Sequence, residues 1–172
     1  ISICEINEEK TALRIVYRIA GQGTKEFSSF TAGDAVEILG ILGNGFPLEA
    51  GRGKKVFLMG GGIGVPPILQ LAKELDAENQ VIVGYRDNNL FLKADLDKYA
   101  SVYVATEDGS AGTKGNVMNA IEENALDAED TVPVRFFVEQ CVDELAVSKC
   151  MREQRIIVDM RKTTEVYLQI MG

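Results

Sequence analysis

Gly60, Gly61, Gly62 and Gly64 stand within five positions of one another and lead straight into Val65-Pro66-Pro67. Glycine leaves no Cβ between the backbone and a ligand, so the N–H groups of such a turn can close on an anion. A helix starting just after the turn adds the positive end of its dipole. The chemistry these residues can do is therefore phosphate binding. The flanks agree with it. Val56-Phe57-Leu58-Met59 is a short apolar run, the pattern of a strand buried on both faces. Ile68, Leu69, Ala72 and Leu75 follow at helical spacing, and proline suits a first helical turn, where its missing N–H costs nothing. Strand, glycine turn and helix form the layout of a dinucleotide site. A turn that only lets strand and helix pack closely explains one or two of these glycines better than four.

Two more loops belong with this one. Gln80–Tyr85 and Ser101–Thr106 read as the second and third strands, and Val134–Val138 as a fourth. Leu90–Tyr99 between them is short and helical or irregular, and Asn116–Leu126 carries Val117, Met118, Ile121 and Leu126 near one side of a helix. Alternating strands and helices predict a parallel sheet, whose ligands bind past the carboxyl ends of the strands. Gly60–Pro67, Arg86–Asn89 and Glu107–Lys114 all fall there, and the last is again rich in glycine. Taken alone, Glu107–Lys114 could equally be a flexible surface loop. At the end of the second strand, Asp87 could accept from a ribose 2′-hydroxyl, whereas Arg86 could hold a 2′-phosphate, so these residues do not choose between NAD and NADP. Val142–Arg152 reads as a helix, and Arg155–Met160 and Glu165–Ile170 as two final strand-like runs.

The first forty residues have a different pattern. Ile1 to Ile6 suggests the end of a strand, Asn7–Lys10 a polar turn, and Leu13–Ile19 an alternating strand with Leu13, Ile15, Tyr17 and Ile19 on one face. Gly21–Thr24 breaks it, Lys25–Phe30 can form a short helix, and Ala35–Leu39 is another strand. Leu42–Pro47 is a glycine-rich loop and Leu48–Gly53 a linker. These strands are too few to close a small barrel, so they read as part of a β domain whose first half lies upstream. The opening residues read like the middle of a protein, without an initiator methionine.

The 172 residues carry a net charge of −8, which argues against non-specific nucleic-acid binding. No apolar run in these residues is long enough to span a membrane, and no signal peptide is expected. With no histidine, Ser-His-Asp and Cys-His catalysis and most zinc sites are excluded. Cys4, Cys141 and Cys150 are scattered, with no Cys-x-x-Cys, so neither a zinc ribbon nor an iron–sulfur loop is encoded. Free thiols without a disulfide pattern fit a cytoplasmic protein.

Several stretches in fixed order resemble the electron-transfer subunit of the bacterial two-subunit, NAD-dependent dihydroorotate dehydrogenase, one of the ferredoxin-reductase-like flavoproteins. They are ISI at the start, VYR followed by GQGT, LGNGFPL, GGGIGVPP and ATEDGSAGTKG. The resemblance covers roughly Ile1 to Leu126. It implies an α/β plus β chain: a partial FAD-binding β-barrel domain over residues 1–50, then a Rossmann-like parallel-sheet NAD-binding domain over residues 54–172. It implies cofactor-binding roles residue by residue. Ile1 and Ser2 would be the second half of the family's Arg-Pro-x-Ser flavin motif, with Ser2 hydrogen-bonding the flavin. Val16, Tyr17 and Arg18 would line the FAD, and Gly23 and Thr24 would meet its pyrophosphate. Without the resemblance, Tyr17 reads as a barrel-core aromatic and Arg18 as a solvated strand charge. Gly61, Gly62, Ile63, Gly64, Val65, Pro66 and Pro67 would form the nicotinamide-nucleotide turn, with Arg86 beside it and Asp108 and Gly109 ordering the nicotinamide half.

The implied function is to pass electrons from an FMN-containing catalytic subunit, in a heterotetramer, through FAD to NAD⁺ in pyrimidine biosynthesis. Hydride transfer needs no acid–base side chain, which suits a chain without histidine. The sequence departs from the family in two places. Where the family has Cys-Gly-Pro after the fourth strand, the chain reads Phe137-Val138-Glu139-Gln140-Cys141. The four-cysteine loop for the expected [2Fe-2S] cluster is absent, and from about Asp130 only the strand–helix–strand pattern is shared. Two alternatives follow: a flavin subunit of an NAD(P)H–ferredoxin oxidoreductase or sulfhydrogenase, and a nucleotide-binding regulatory module with no redox role.

Overall fold

The computed structural model of the chain describes residues 1–9, 11–36, 45–126 and 134–138. Strands β1 (Ser2–Ile6) and β2 (Leu13–Val16) pair antiparallel as a ribbon. Its register shifts between Ile3 and Glu5, a bulge that sends Cys4 fully inward and brings Glu5 opposite Arg14. The strand expected to run to Ile19 stops at Val16, and Ile19 is exposed. Alternation alone does not hold a strand: it needs a partner, and β1 begins only at Ser2, opposite Val16. Helix α1 (Gln22–Phe27) starts three residues earlier than the Lys25–Phe30 expectation and buries none of its residues. Ala35 and Val36 are irregular, and the rest of the Ala35–Leu39 strand expectation lies outside the described residues, as does the first half of the glycine-rich loop after it. The expected linker is not free-standing. Leu48–Ala50 forms a 3-10 turn whose Leu48 and Ala50 pack on the core.

The remaining strands are β3 (Lys55–Gly61), β4 (Glu78–Tyr85), β5 (Ser101–Thr106), β6 (Thr113–Lys114) and β7 (Val134–Val138). They form one sheet in the order β6-β5-β4-β3-β7, with every neighbouring pair parallel. The chain steps outward from β3 to β6 and then returns to the other side of β3. The order therefore reverses beside β3, and the crevice past the carboxyl ends of β3 and β7 is the switch point where such sheets bind ligands. The Val142–Arg152 helix and the two last strand-like runs lie outside the described residues.

Both faces of the sheet are covered, which is why β3 reads as an unbroken apolar run. Val56 and Leu58 point to the side of α2 (Val65–Glu74), with Val65, Ile68, Leu69, Val81 and Val83. Phe57 and Met59 point to the other side, with Ile82, Ala105, and Val117 and Ala120 of α4 (Val117–Glu123). Fully buried side chains such as Leu58 and Ile68 are each stabilising by about 1.5–3 kcal/mol. Asn79 donates its amide to the Ala72 carbonyl at 3.0 Å, closing the carboxyl end of α2. Asn116 caps α4, accepting from the Met118 and Asn119 N–H groups.

The ribbon rests on α2 and on the short helix α3 (Lys93–Leu96). The Ile6 N–H donates to Gln70 Oε1 at 2.7 Å, Lys73 pairs with Glu5 at 3.3 Å, and Arg14 donates to Asp95 at 2.9 Å.

Candidate functional site

Gly60 lies near the end of the buried run of β3, beneath Ile68 of α2. A Cβ there would lie 2.6 Å from Ile68 Cδ1 and 2.9 Å from the Gly64 carbonyl oxygen, so this glycine serves close packing. Gly62 serves something else. Its φ of +53° is the left-handed value that favours glycine, and nothing lies within 4 Å of the position a Cβ would take. Gly61 is nearly as open, with only the Gly84 carbonyl at 3.8 Å. The turn Gly62–Gly64 runs into α2 with prolines in the first turn and no side chain capping the helix. Open space and an uncapped ten-residue helix start fit an anion, and the four glycines divide between packing and clearance.

The other two loops lie level with this turn. Gly61 is in register with Gly84, and Gly84 with Ala105, so the three strands end together. The Glu107 N–H donates to the Tyr85 carbonyl at 3.1 Å, and the Asp108 N–H to the Arg86 carbonyl at 3.4 Å, joining the second loop to the third. Arg86 is exposed, while Asp87 accepts from the Asn89 N–H at 2.9 Å and so shapes its own turn.

Glu107–Lys114 is held by Thr106, a hub that sequence reasoning did not single out. Fully buried Thr106 donates its hydroxyl to the Ala111 carbonyl at 2.8 Å and accepts from the Ala111 N–H at 3.1 Å. Its own carbonyl accepts from the Gly109 and Gly115 N–H groups. Asp108 accepts from both the hydroxyl and the N–H of Ser110, which lowers its carboxyl below the usual carboxylate value and keeps it ionised, facing solvent beside Gly109.

The residues expected at a flavin gather at one end of the ribbon. Ser2 lies directly opposite Val16, with Ile1 and Tyr17 adjacent. The Tyr17 ring meets Phe27 of α1 edge to face at 5.2 Å, which ties the α1 segment to the end of β2. Gly23 is exposed with open space around it. The Thr24 hydroxyl accepts from the Ala20 and Gly21 N–H groups and donates to the Gly21 carbonyl, so it fixes the start of α1 and has no hydrogen-bonding capacity left over. Arg18 projects into solvent. The Ser2 hydroxyl donates to the Ile63 carbonyl at 3.1 Å, which brings the ribbon end against the glycine turn. The contacts that seat the ribbon (Arg14 with Asp95, Ile6 with Gln70) had no sequence signal.

Among the described residues, no cluster of histidine, cysteine, aspartate or glutamate could hold a metal ion, and no helix is long and apolar enough to cross a membrane. Cys141 and Cys150 lie outside them.

No known family profile matches the chain. Individual proteins do. It is 42% identical over 127 residues to the electron transfer subunit of dihydroorotate dehydrogenase B (NAD(+)) from Streptococcus mutans, covering 71% of this chain and 49% of that protein. The protein of the same name from Geobacillus sp. is 38% identical over 131 residues, covering 73% of this chain and 51% of the relative. The chain thus spans about half the length of the curated relatives it matches. Among solved structures, an NADH-dependent reduced ferredoxin–NADP oxidoreductase, studied for flavin-based electron bifurcation, superposes with a TM-score of 0.68 at 25% identity. That match covers 79% of this chain and 50% of the other. The fold is ferredoxin-reductase-like: a small antiparallel sheet joined to a parallel one.

Proposed function

The chain is a relative, over about three quarters of its own length, of the electron transfer subunits of dihydroorotate dehydrogenase B (NAD(+)), and from that premise we propose that it does their work. It is an oxidoreductase subunit that binds FAD at the ribbon end and NAD at the glycine turn. It takes electrons from an FMN-containing subunit that oxidises dihydroorotate, in a cytoplasmic heterotetramer of pyrimidine biosynthesis.

The observation that carries this reading is the bond from Ser2 to Ile63. The residue that the resemblance assigns to the flavin touches the turn that it assigns to the nicotinamide nucleotide. The cradle at Gly61 and Gly62 fits a pyrophosphate, since a Cβ at Gly62 would project into open space and one at Gly61 would meet only the Gly84 carbonyl, at 3.8 Å. Gly61–Pro67 would hold the NAD phosphates, with Arg86, Asp108 and Gly109 at the rim. Ile1, Ser2, Val16, Tyr17 and Arg18 would hold the flavin, with Gly23 supplying clearance near its phosphates and Thr24 keeping α1 in place. When bound, FAD supplies the two-electron chemistry that passes hydride to NAD⁺. The protein's part is to orient and to exclude water. No step is assigned to a [2Fe-2S] cluster, because the described residues contain no ligand set for one.

The test is a visible absorption spectrum after incubation with FAD, followed by NADH-dependent reduction of an artificial acceptor. A flavin spectrum with diaphorase activity is expected, and a colourless, inactive chain would remove the reading. The structural likeness to a ferredoxin–NADP oxidoreductase favours one other reading, a flavin subunit that exchanges electrons with ferredoxin. Copurification with a dihydroorotate-oxidising subunit, or with ferredoxin instead, separates the two.

A further inference from the structure

The residues expected at the two cofactors sit on separate pieces of the fold. Ser2 and Val16 end the ribbon, while Gly61–Pro67, Arg86 and Asp108 lie at the ends of parallel strands. A two-stranded ribbon is marginal by itself, so its direction depends on what it is tied to. Arg14 is the centre of that attachment. It lies opposite Glu5 across the ribbon, 3.6 Å from its carboxylate, and reaches Asp95 of α3 at 2.9 Å. Lys73 of α2 faces Glu5 at 3.3 Å, and Lys98 faces Asp95 at 2.8 Å.

Asp95 is presented by a segment that starts at the Arg86 loop and is itself held firmly. The Tyr85 hydroxyl donates to the Phe91 carbonyl at 2.8 Å, and their rings meet edge to face at 5.3 Å. Leu92 then enters α3 at a φ of +64°, a left-handed conformation that is strained for a leucine. Such a conformation persists where the surroundings over-determine it. The segment therefore offers Asp95 at a fixed place, and Arg14 transfers that place to the ribbon.

Resting on the two-cofactor reading above, we infer that Arg14 is a positioning residue. Through Asp95 it sets how closely the Ser2 end of the ribbon stands to the Ile63 turn, and so how flavin and nicotinamide meet, while touching neither. Ser2 and Ile63 share one neutral hydrogen bond at the ribbon's end, whereas Arg14 and Asp95 share a charge-assisted one.

The experiment compares the full chain with Arg14→Met, Asp95→Asn and the exchanged pair Arg14→Asp with Asp95→Arg. Arg14→Lys keeps the charge and serves if Arg14→Met does not fold. FAD is titrated by absorbance and NADH by fluorescence on flavin-free protein. The long-wavelength charge-transfer band and the stopped-flow rate of flavin reduction report on the mixed complex. Single variants should bind each cofactor about as well as the unaltered chain, yet lose the band and reduce flavin about tenfold more slowly. The exchanged pair should recover most of both. Singles that keep band and rate, or an exchanged pair no better than the singles, overturn the positioning role. If the unaltered chain binds neither cofactor, the two-cofactor reading fails by itself. Amide exchange at residues 61–64 then decides on Arg14: faster exchange in the variants supports the coupling, and equal exchange ends it.

Discussion

Ser2 of the ribbon donates its hydroxyl proton to the carbonyl of Ile63, 61 residues away, in the turn between β3 and α2. Ser2→Ala removes the donor and leaves that carbonyl, partly buried, without its partner. A loss of about 1 kcal/mol is expected, seen as a lower urea midpoint at an unchanged slope. An unmoved midpoint would mean that the bond exchanges freely with water and does not hold the ribbon end to the turn.

The glycines of the turn should separate into two classes. Gly60→Ala forces a Cβ against Ile68 and the Gly64 backbone, so it should cost about 1–3 kcal/mol, as overpacking does. Gly61→Ala meets almost nothing, and its melting temperature should stay near that of the unaltered chain while NADH affinity falls. Gly62→Ala combines open space with a φ of +53°, and should lose both affinity and about 1–2 kcal/mol of stability. Differential scanning calorimetry beside NADH titration reads all three. Equal melting losses at Gly60 and Gly61 would contradict the division.

What was legible in the sequence follows from periodicity and burial. Ser101–Thr106 and Val134–Val138 were bounded correctly because each is a β-branched or aromatic run set off from its surroundings. The glycine turn was legible because its flanks were. The end of β2 was not, since where a strand stops depends on where its partner starts, and Val16 faces Ser2. Nor was the attachment of the ribbon. Arg14 and Asp95 are 81 residues apart, and nothing local marks a charge that will meet another across the fold. Glu107–Lys114 stayed open between ligand loop and mobile loop because its order comes from one hydroxyl, on Thr106, lying inside the strand that precedes it.

Acid should loosen the ribbon through Asp95. Hydrogen bonds from Lys98 and then Arg14 lower its carboxyl below the usual value. A group depressed in the folded state adds stability that is complete above its unfolded pKa of about 3.9. That stability is lost as pH falls through the lower folded value. Urea midpoints of the unaltered chain and Asp95→Asn, measured from neutral pH into that acid range, should therefore converge as pH drops. Parallel curves would show that Asp95 contributes nothing that titrates.

Cys4 should be silent in the native chain. The bulge buries it completely, and burial pushes its thiol up to about 11, with Arg14 pulling the other way. Maleimide labelling at mildly alkaline pH, mapped by peptide mass spectrometry, should reach Cys4 only after denaturant is added. Labelling of Cys4 at a similar rate with and without denaturant would mean that the ribbon opens readily from α2.

Thr106→Val tests whether the third loop is built for a ligand or merely tolerated. Valine keeps the β-branched shape in the strand but removes the hydroxyl that both donates to and accepts from Ala111. Two partly buried backbone groups of Ala111 would then lack partners, at a cost of at most about 1–3 kcal/mol for each left unsatisfied. Most of that cost can be relieved if the loop swings out to solvent. The melting temperature should then fall only modestly, while amide exchange at 108–112 accelerates and Asp108 and Gly109 leave the positions level with Gly61. NADH affinity should fall in step with the exchange. Accelerated exchange with unchanged affinity would take Asp108 and Gly109 out of the site and leave the glycine turn to hold the nucleotide with Arg86.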